Sequence, residues 1–471
     1  MSYQYQVVVI GSGSAGKEAC LAAAKAGLQT LLVEEKDLGG TSVHRGSNAM
    51  RALRASATFF KHIQKGRKVG TSLDFSETIW TDWQTDQLRS SSSLTAEFRQ
   101  AVDREHVHLC FGKAKLVGPN EISVAGPGGP DRRFTASHIM IATGSRPNFT
   151  SQPEVGVLNS DDLLRQPVSP RHLFVIGGGY IGCEIASIYR DLGARVTIAE
   201  AQSRLLPHWD TVAGQYFQKA LEASGVVVLL NQEIVVPSTV PGKRPTHRLN
   251  DGTAIQPDVT LLATGRSPNS DEIGLESVGL PGGDWIPVND HMQTKLDSIY
   301  AIGDVNGIAL LDSIATAQAN VAVQAILGTP TCFDKRRYPQ LLHTEPPIAS
   351  VGWTENEAEA SGLHLEALTW SGPLFADGDS RTGDPEHMVI KCLVHSQSDR
   401  IFGCIAIGSQ AAEVINLVSE AMTKGQSARE IAQFAAVHPG ATEALAKTLR
   451  RHFGHPIASV SGGLGSELQE S

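Results

Sequence analysis

Gly11, Gly13 and Gly16 stand in the spacing Gly-x-Gly-x-x-Gly within Gly11-Ser12-Gly13-Ser14-Ala15-Gly16, and Glu34 follows 18 residues after the last of them. The pattern suits a dinucleotide pyrophosphate. The first glycine permits a tight turn, the second lets backbone approach the phosphates, and the third lets a helix pack closely on a strand. The phosphates then rest on the helix N-terminus, and the acid is placed to hydrogen-bond a ribose hydroxyl. The arrangement returns as Gly177-Gly178-Gly179-Tyr180-Ile181-Gly182 with Glu200, again 18 residues on. Either copy alone is also compatible with an ordinary tight strand-to-helix turn; two copies argue for two dinucleotides in separate domains. The turns Ala142-Thr143-Gly144 and Ala263-Thr264-Gly265 each close one such unit, and Gly303-Asp304 sets a carboxylate just beyond a short apolar strand.

These residues need strands and helices to hold them. Val7–Ile10 reads as a strand buried on both faces, Lys17–Ala26 as a helix and Gln29–Val33 as a second strand. Leu173–Ile176, a helix through Arg190 and Val196–Ala199 repeat that βαβ order. Ile139–Ile141, Val259–Leu262 and Ile299–Ile302 add strands. Beyond Pro339, strands Met388–Val394 and Ile401–Ile407 with helices over 410–424 and 427–434 form a unit of different type, and the tail from Ser459 reads as a flexible linker. The expected class is α/β: two Rossmann-like dinucleotide-binding domains followed by a C-terminal α+β domain.

Composition narrows the function. The chain has 471 residues and a formal charge of 40 − 49 = −9, with opposite charges interspersed, which offers no footprint for nucleic acid or an anionic membrane. The N-terminus lacks a basic n-region, and no run of ~18 apolar residues predicts a membrane span. A cytoplasmic soluble enzyme is expected. Six cysteines, Cys20, Cys110, Cys183, Cys332, Cys392 and Cys404, form no Cys-x-x-Cys pair, and no His, Cys or Asp cluster has metal-ligand spacing, so no metal is expected.

In this order the motifs resemble the FAD-dependent pyridine nucleotide disulfide oxidoreductases, the group of dihydrolipoamide dehydrogenase, glutathione reductase, mercuric reductase and the soluble transhydrogenases, over roughly residues 5–455. The resemblance implies a homodimer that binds FAD and NADH, with NADPH as the other candidate. It implies an FAD domain over 1–147 and 271–339, an NAD(P) domain over 148–270, a dimerisation domain over 340–457 and a flexible tail over 458–471. On the FAD side it places Gly11, Gly13, Ser14, Ala15, Gly16, Glu34, Glu35, Gly40, Thr41, Ala114, Ala142, Thr143, Gly144, Gly303 and Asp304, the last holding the ribityl chain. On the nicotinamide side it places Gly177, Gly179, Tyr180, Ile181, Glu200 and Gly265. Tyr180 resembles the family's aromatic lid, with simple packing as the alternative. Glu200 favours NADH by repelling a 2′-phosphate, unless Arg204 turns inward to pair with one.

One motif departs from the family. After its Gly-Gly-Thr turn the family carries two cysteines five positions apart, the redox disulfide beside the flavin; here Gly39-Gly40-Thr41 is followed by Ser42 and Ser47. A hydroxyl has no disulfide state and no accessible anion. The flanking Asn48-Ala49-Met50-Arg51 also differs from the family's Pro-Ser-Lys, so the serines read as a natural departure rather than an engineered one. Arg51 stands where the family's lysine near the flavin N5 does, and an ion pair with Glu184 is expected, the alternative being two helix-face charges. Arginine keeps its proton at any working pH, so it would steady electron density without donating a proton. His438 with Glu443 resembles the family's His–Glu pair, either protonating a reduced acceptor or inherited as an interface residue. His44, between the two serines, reads as a packing or surface residue on the flavin side.

The resulting expectation is an FAD-dependent oxidoreductase that takes hydride from NADH and passes electrons to a small-molecule acceptor other than a disulfide: a quinone, dioxygen, another small oxidant or a second nicotinamide nucleotide. The alternatives are a non-catalytic FAD- and NADH-binding redox sensor or assembly subunit, and disulfide turnover through a relocated cysteine such as Cys20 or Cys183.

Overall fold

The structure, a computed structural model, describes residues 3–68, 78–126, 129–234, 244–374 and 387–454. The expected tail over 458–471 lies outside the described residues. The chain forms two compact units, Met1–Pro346 and Pro347–Ser471.

In the first unit, β1 (Tyr5–Ile10), α1 (Ser14–Lys25) and β2 (Thr30–Glu34) form the expected βαβ motif, with β1 parallel to β2. The helix begins three residues before the expected Lys17, because Gly13 is its N-cap and the last fingerprint residues already form its first turn. A short α2 (Gly40–His44) and two long helices, α3 (Ser47–Lys68) and α4 (Thr78–Arg104), lead to β3 (His108–Phe111), β4 (Lys113–Gly118), β5 (Glu121–Ala125) and β6 (Arg132–Ile141). The sheet runs in the order β3-β2-β1-β6-β5-β4. The pairs β3–β2, β2–β1 and β1–β6 are parallel, and β6–β5–β4 forms an antiparallel extension.

A second parallel sheet is built from β7 (Val157–Leu158), β8 (His172–Ile176), β9 (Arg195–Ala199), β10 (Val227–Leu229) and β11 (Val259–Leu262), in the order β10-β9-β8-β11-β7. Helices α5 (Tyr180–Asp191) and α6 (Thr211–Ala223) belong to this fold. The chain then returns to the first sheet, where β12 (Ile299–Ala301) pairs parallel with β6 and α7 (Asp312–Ile326) follows. Both parallel sheets of this first unit are thus of the doubly wound type the fingerprints predict.

Strand β1 is buried on both faces, as its unbroken apolar run predicts. Val7 and Val9 pack with Ala15, Ala19 and Ala23 of α1 and with Ala315, Ala319 and Ala322 of α7. Val8 and Ile10 face the opposite core with Leu31, Val33, Ile139 and Ile141. Alanine on the facing sides of α1 and α7 lets the two helices lie close together, which brings Ser14 and Asp312 into contact at their starts.

The second unit is an antiparallel sheet in the order β13 (Ile348–Gly352), β16 (Ile401–Ile407), β15 (His387–His395), β14 (Leu365–Pro373), covered by α8 (Ala411–Thr423) and α9 (Ala441–His452). The two strands expected here are present as β15 and β16.

Candidate functional site

A cavity of about 1560 Å³ opens where β1 turns into α1, well above the ~300–1,000 Å³ usual for a drug-sized ligand. Gly11, Gly13, Ser14, Ala15, Glu34, Glu35, Gly40, Thr41, Ala114, Ala142, Thr143, Gly144, Gly303 and Asp304 all line it, with Ser42. Gly16 lies behind the wall: a Cβ there would stand 1.9 Å from the Gly11 carbonyl oxygen. A Cβ on Gly13 would meet nothing within 4 Å, so bare backbone faces the cavity at the start of α1, where a phosphate is best held. Trp83 lines the same cavity and is only 5 % exposed, and its buried indole N–H has no acceptor among the described residues. The cavity's size, the bare backbone at Gly13 and the carboxylates of Glu34 and Asp304 fit FAD.

The two fingerprint acids make matching contacts. Glu34 Oε2 accepts from the Ser12 amide at 2.9 Å and its hydroxyl at 2.6 Å, and Oε1 accepts from the Lys36 amide at 2.8 Å. Glu200 Oε2 accepts from the Gly178 amide at 2.6 Å and Oε1 from the Gln202 amide at 2.8 Å. Each acid therefore also staples its own glycine loop, a role the spacing did not reveal. The glycines repeat as well: a Cβ on Gly182 would stand 1.9 Å from the Gly177 oxygen, while Gly179 faces open space.

Tyr180 and Ile181 open α5, and the Tyr180 hydroxyl donates to the Leu310 carbonyl at 3.4 Å. Gly265 turns at φ +125° against Asn148. None of Gly177, Gly179, Tyr180, Ile181, Glu200 and Gly265 lines the first cavity; they form the second locus. Arg204 does not turn inward. Its guanidinium donates to the carbonyls of Leu206, Pro207 and Trp209 at 3.2, 2.6 and 2.9 Å.

Asp304 Oδ2 accepts the Ser145 hydroxyl at 2.6 Å, and Ser145 Oγ takes Arg266 Nε at 2.8 Å. Burial raises the Asp304 carboxyl above its ordinary range against the pull of Ser145 and Arg266. The turns after β6 and β11 are stitched together, with Thr143 Oγ1 donating to the Asn269 carbonyl at 2.7 Å and the Asn269 amide donating to Gly144 O at 2.9 Å.

Ser42 and Ser47 come together, their Oγ atoms 2.8 Å apart. Both donate to Asp312 Oδ2, Ser42 at 2.7 Å. Asp312, another residue lining the cavity, was not singled out in the sequence; an acid following Leu310-Leu311 shortly after Gly303-Asp304 was its only local mark. His44 Nε2 lies 3.0 Å from the Leu38 carbonyl, which occupies the ring in local structure.

The expected Arg51–Glu184 ion pair is not formed. Met50, Leu53, Arg54 and Ala57 make the inward face of α3, which turns Arg51 to solvent. Glu184 is buried and its Oε1 accepts the His343 amide at 2.7 Å. Burial raises its carboxyl from 4.5 to about 7, with the His343 amide and Arg54 pulling the other way. Folded Glu184 thus binds its proton more tightly than the unfolded chain does, so its cost is absent below the unfolded value, grows as pH rises through the window from 4.5 to about 7, and persists above. Glu184→Gln is expected to raise stability by up to about 3 kcal/mol at alkaline pH, at ~1.4 kcal/mol per unit, with the gain vanishing towards pH ~4.5. Urea denaturation across that range checks it, and a pH-independent difference contradicts it.

In the second unit His438 Nδ1 meets Glu443 Oε2 at 2.8 Å, so the expected pair is assembled, with the imidazole largely exposed. Burial raises the Glu443 carboxyl, but hydrogen bonds from Lys447 and His438 outweigh it and leave it below its ordinary range. The thiols offered as relocated nucleophiles are both buried: burial pushes Cys20 up to about 12 and Cys183 well above its usual value. Cys392 and Cys404 face each other across β15 and β16 with sulfurs 3.2 Å apart, a pairing their sequence spacing does not suggest.

Comparison with known proteins agrees with this geometry. A family profile described as pyridine nucleotide-disulphide oxidoreductase matches residues 5–325, and the dimerisation domain of the same family matches 338–449. A dihydrolipoyl dehydrogenase of Pseudomonas aeruginosa is 28 % identical over 96 % of this chain and 98 % of its own. A leghemoglobin reductase of Glycine max is 30 % identical over 98 % of this chain and 90 % of its own. The solved structure of an HOCl-induced flavoprotein disulfide reductase from Escherichia coli superposes with a TM-score of 0.79 at 26 % identity, covering 94 % of this chain and 99 % of its own.

Proposed function

The chain belongs to the pyridine nucleotide-disulphide oxidoreductase family, and we propose that within it this is an NADH-preferring FAD oxidoreductase that passes electrons to a small-molecule acceptor other than a disulfide. The observation that carries the reading is the pair of hydroxyls, Ser42 and Ser47, with oxygens 2.8 Å apart and both donating to Asp312, at the two positions where the family motif has its redox cysteines. An acceptor disulfide exchanges through an attacking thiolate, which a serine hydroxyl cannot replace. Buried Cys20 and Cys183, with their thiols held protonated, do not offer a substitute. One relative is named for leghemoglobin rather than for a disulfide, which is in keeping with a range of acceptors.

The FAD, when bound, supplies the two-electron relay between nicotinamide and acceptor. The start of α1 and the bare backbone at Gly13 receive its pyrophosphate, and Asp304, oriented by Ser145, holds the ribityl hydroxyls. At the second locus the backbone around Gly179 receives the NADH phosphates. Glu200, fixed by two amides, accepts the ribose hydroxyls and repels a 2′-phosphate; Arg204, committed to three carbonyls, does not offset that charge. Tyr180 covers the nicotinamide pocket. His438, with Nδ1 held by Glu443, presents Nε2 for proton exchange with the reduced acceptor in the homodimer. No helix among the described residues is long and apolar enough to cross a membrane, and a cytoplasmic location is part of this reading.

Anaerobic titration with NADH and then NADPH, followed by an acceptor screen of quinones, dioxygen, thio-NAD and lipoamide, tests it. The expected result is a yellow protein bleached preferentially by NADH, with no thiolate-to-flavin charge-transfer band and turnover with a non-disulfide acceptor. Turnover of lipoamide or glutathione disulfide at rates typical of the family overturns it. Slow bleaching with no acceptor giving turnover would make it a sensor.

A further inference from the structure

One carboxylate gathers the starts of three long helices. Ser14 is the first residue of α1, Ser47 of α3 and Asp312 of α7, while Ser42 lies within α2. Ser14 Oγ donates to Asp312 Oδ1 at 2.7 Å, and Ser42 and Ser47 both donate to Oδ2, so each carboxylate oxygen is occupied and the segment over 40–47 is tied to α1 and α7. Helix starts present unpaired amides and the positive end of the dipole, so an anion at their meeting point is held favourably.

We propose that Asp312 is a specificity-determining residue whose carboxylate is the permanent anion of this site and excludes thiolate chemistry at positions 42 and 47. This rests on the reading that the two serines have replaced the redox pair. In a dithiol site the anion at these positions is a thiolate and is present only in the reduced state. Here a carboxylate lies within hydrogen-bond distance of both positions in every redox state. A second anion on the same spot is disfavoured by like-charge repulsion, which falls only as the inverse of distance and is poorly screened inside a cavity. The charge of Asp312 is already felt at Asp304, where it adds to the effect of burial. Restoring the two cysteines alone therefore rebuilds the composition of a dithiol site without its chemistry; removing Asp312 is the additional change required.

The test compares S42C/S47C with S42C/S47C/D312N as full-length protein with its FAD bound. Iodoacetamide alkylation is followed against pH and mapped by mass on the peptide that carries both positions. In S42C/S47C the more reactive thiol is expected to titrate at or above the ordinary ~8.5, and D312N is expected to lower it by about one unit, roughly tenfold more thiolate at neutral pH. S47C against S47C/D312A repeats the comparison with Ser42 retained, should the triple variant fold poorly. A thiol titrating well below ~8.5 in the double variant, or the same value with and without Asp312 in both pairs, overturns the proposal. Disulfide turnover by the unmodified enzyme would overturn the function proposed above and leave this comparison unaffected. Equal thiol titrations would remove the role of Asp312 and leave that function standing.

Discussion

Gly182→Ala is expected to slow reduction by NADH by about 100-fold in a protein that still carries its FAD. A Cβ at this position would stand 1.9 Å from the Gly177 carbonyl oxygen, where real contacts essentially never fall below 3.0 Å. The start of α5 must therefore retreat from its own glycine loop by about 1 Å, and displacement on that scale costs on the order of 100-fold in a positioned reaction. The loop cannot follow easily, because Glu200 holds the Gly178 amide and the Gln202 amide together. The stability cost of such overpacking is about 1–3 kcal/mol, too small to unfold a domain of this size, so the loss falls on binding. Gly179→Ala is the control. Its Cβ enters open space, so the fold is untouched and only the approach of the phosphates suffers. Gly16→Ala carries the same 1.9 Å conflict in the first fingerprint and is expected to yield apoprotein instead. Calorimetric NADH binding and stopped-flow bleaching of the flavin check the set. Reduction of Gly182→Ala within about twofold of the parent rate contradicts the argument, given the ~100-fold expected from misplacement.

The same two fingerprints explain why so much of the fold could be read directly. Strand, glycine turn, helix, strand and acid are packed into about 30 residues, so each feature is a near neighbour of the next and the pattern survives without tertiary information. The residues that were not legible are those whose partners are remote. Asp312 meets Ser42 across 270 residues, and Arg54 meets Asp191 across 137. No spacing rule joins such positions; the close approach of α1 to α7 and of α3 to α5 does. Arg51 shows the opposite failure. Its position in the motif pointed to Glu184, but the choice between Arg51 and Arg54 as the inward cation is made by the helical phase of Met50, Leu53 and Ala57 against the core. Glu184 consequently has an amide and a nearby guanidinium where a direct ion pair was expected, and its carboxyl is raised rather than lowered.

Arg54→Met is expected to cost about 3 kcal/mol, the lower end of the ~3–5 kcal/mol typical when one partner of a buried ion pair is removed. Arg54 is 8 % exposed and Asp191 4 %. The guanidinium donates to Asp191 Oδ2 and, at 2.9 Å, to Ser187 Oγ, so it joins α3 of the first nucleotide fold to α5 of the second. Truncation leaves Asp191 buried with only Arg190, 3.1 Å from its other oxygen and partly open to solvent, which is why the lower figure is expected. Replacing both partners separates charge from packing. In R54M/D191L no ion is left without its partner, and most of the loss is expected to return, because buried pairs exchanged for apolar residues of similar size are often neutral or better. Urea midpoints of the parent, R54M and R54M/D191L decide it: a single variant within about 1 kcal/mol of the parent would mean that water reaches Asp191. Stability recovered in the double variant is not expected to bring full function with it. The pair fixes α3, which begins at Ser47, against α5, which begins at Tyr180 and carries Glu184, and an apolar contact packs these helices without the directional hydrogen bonds that set their register.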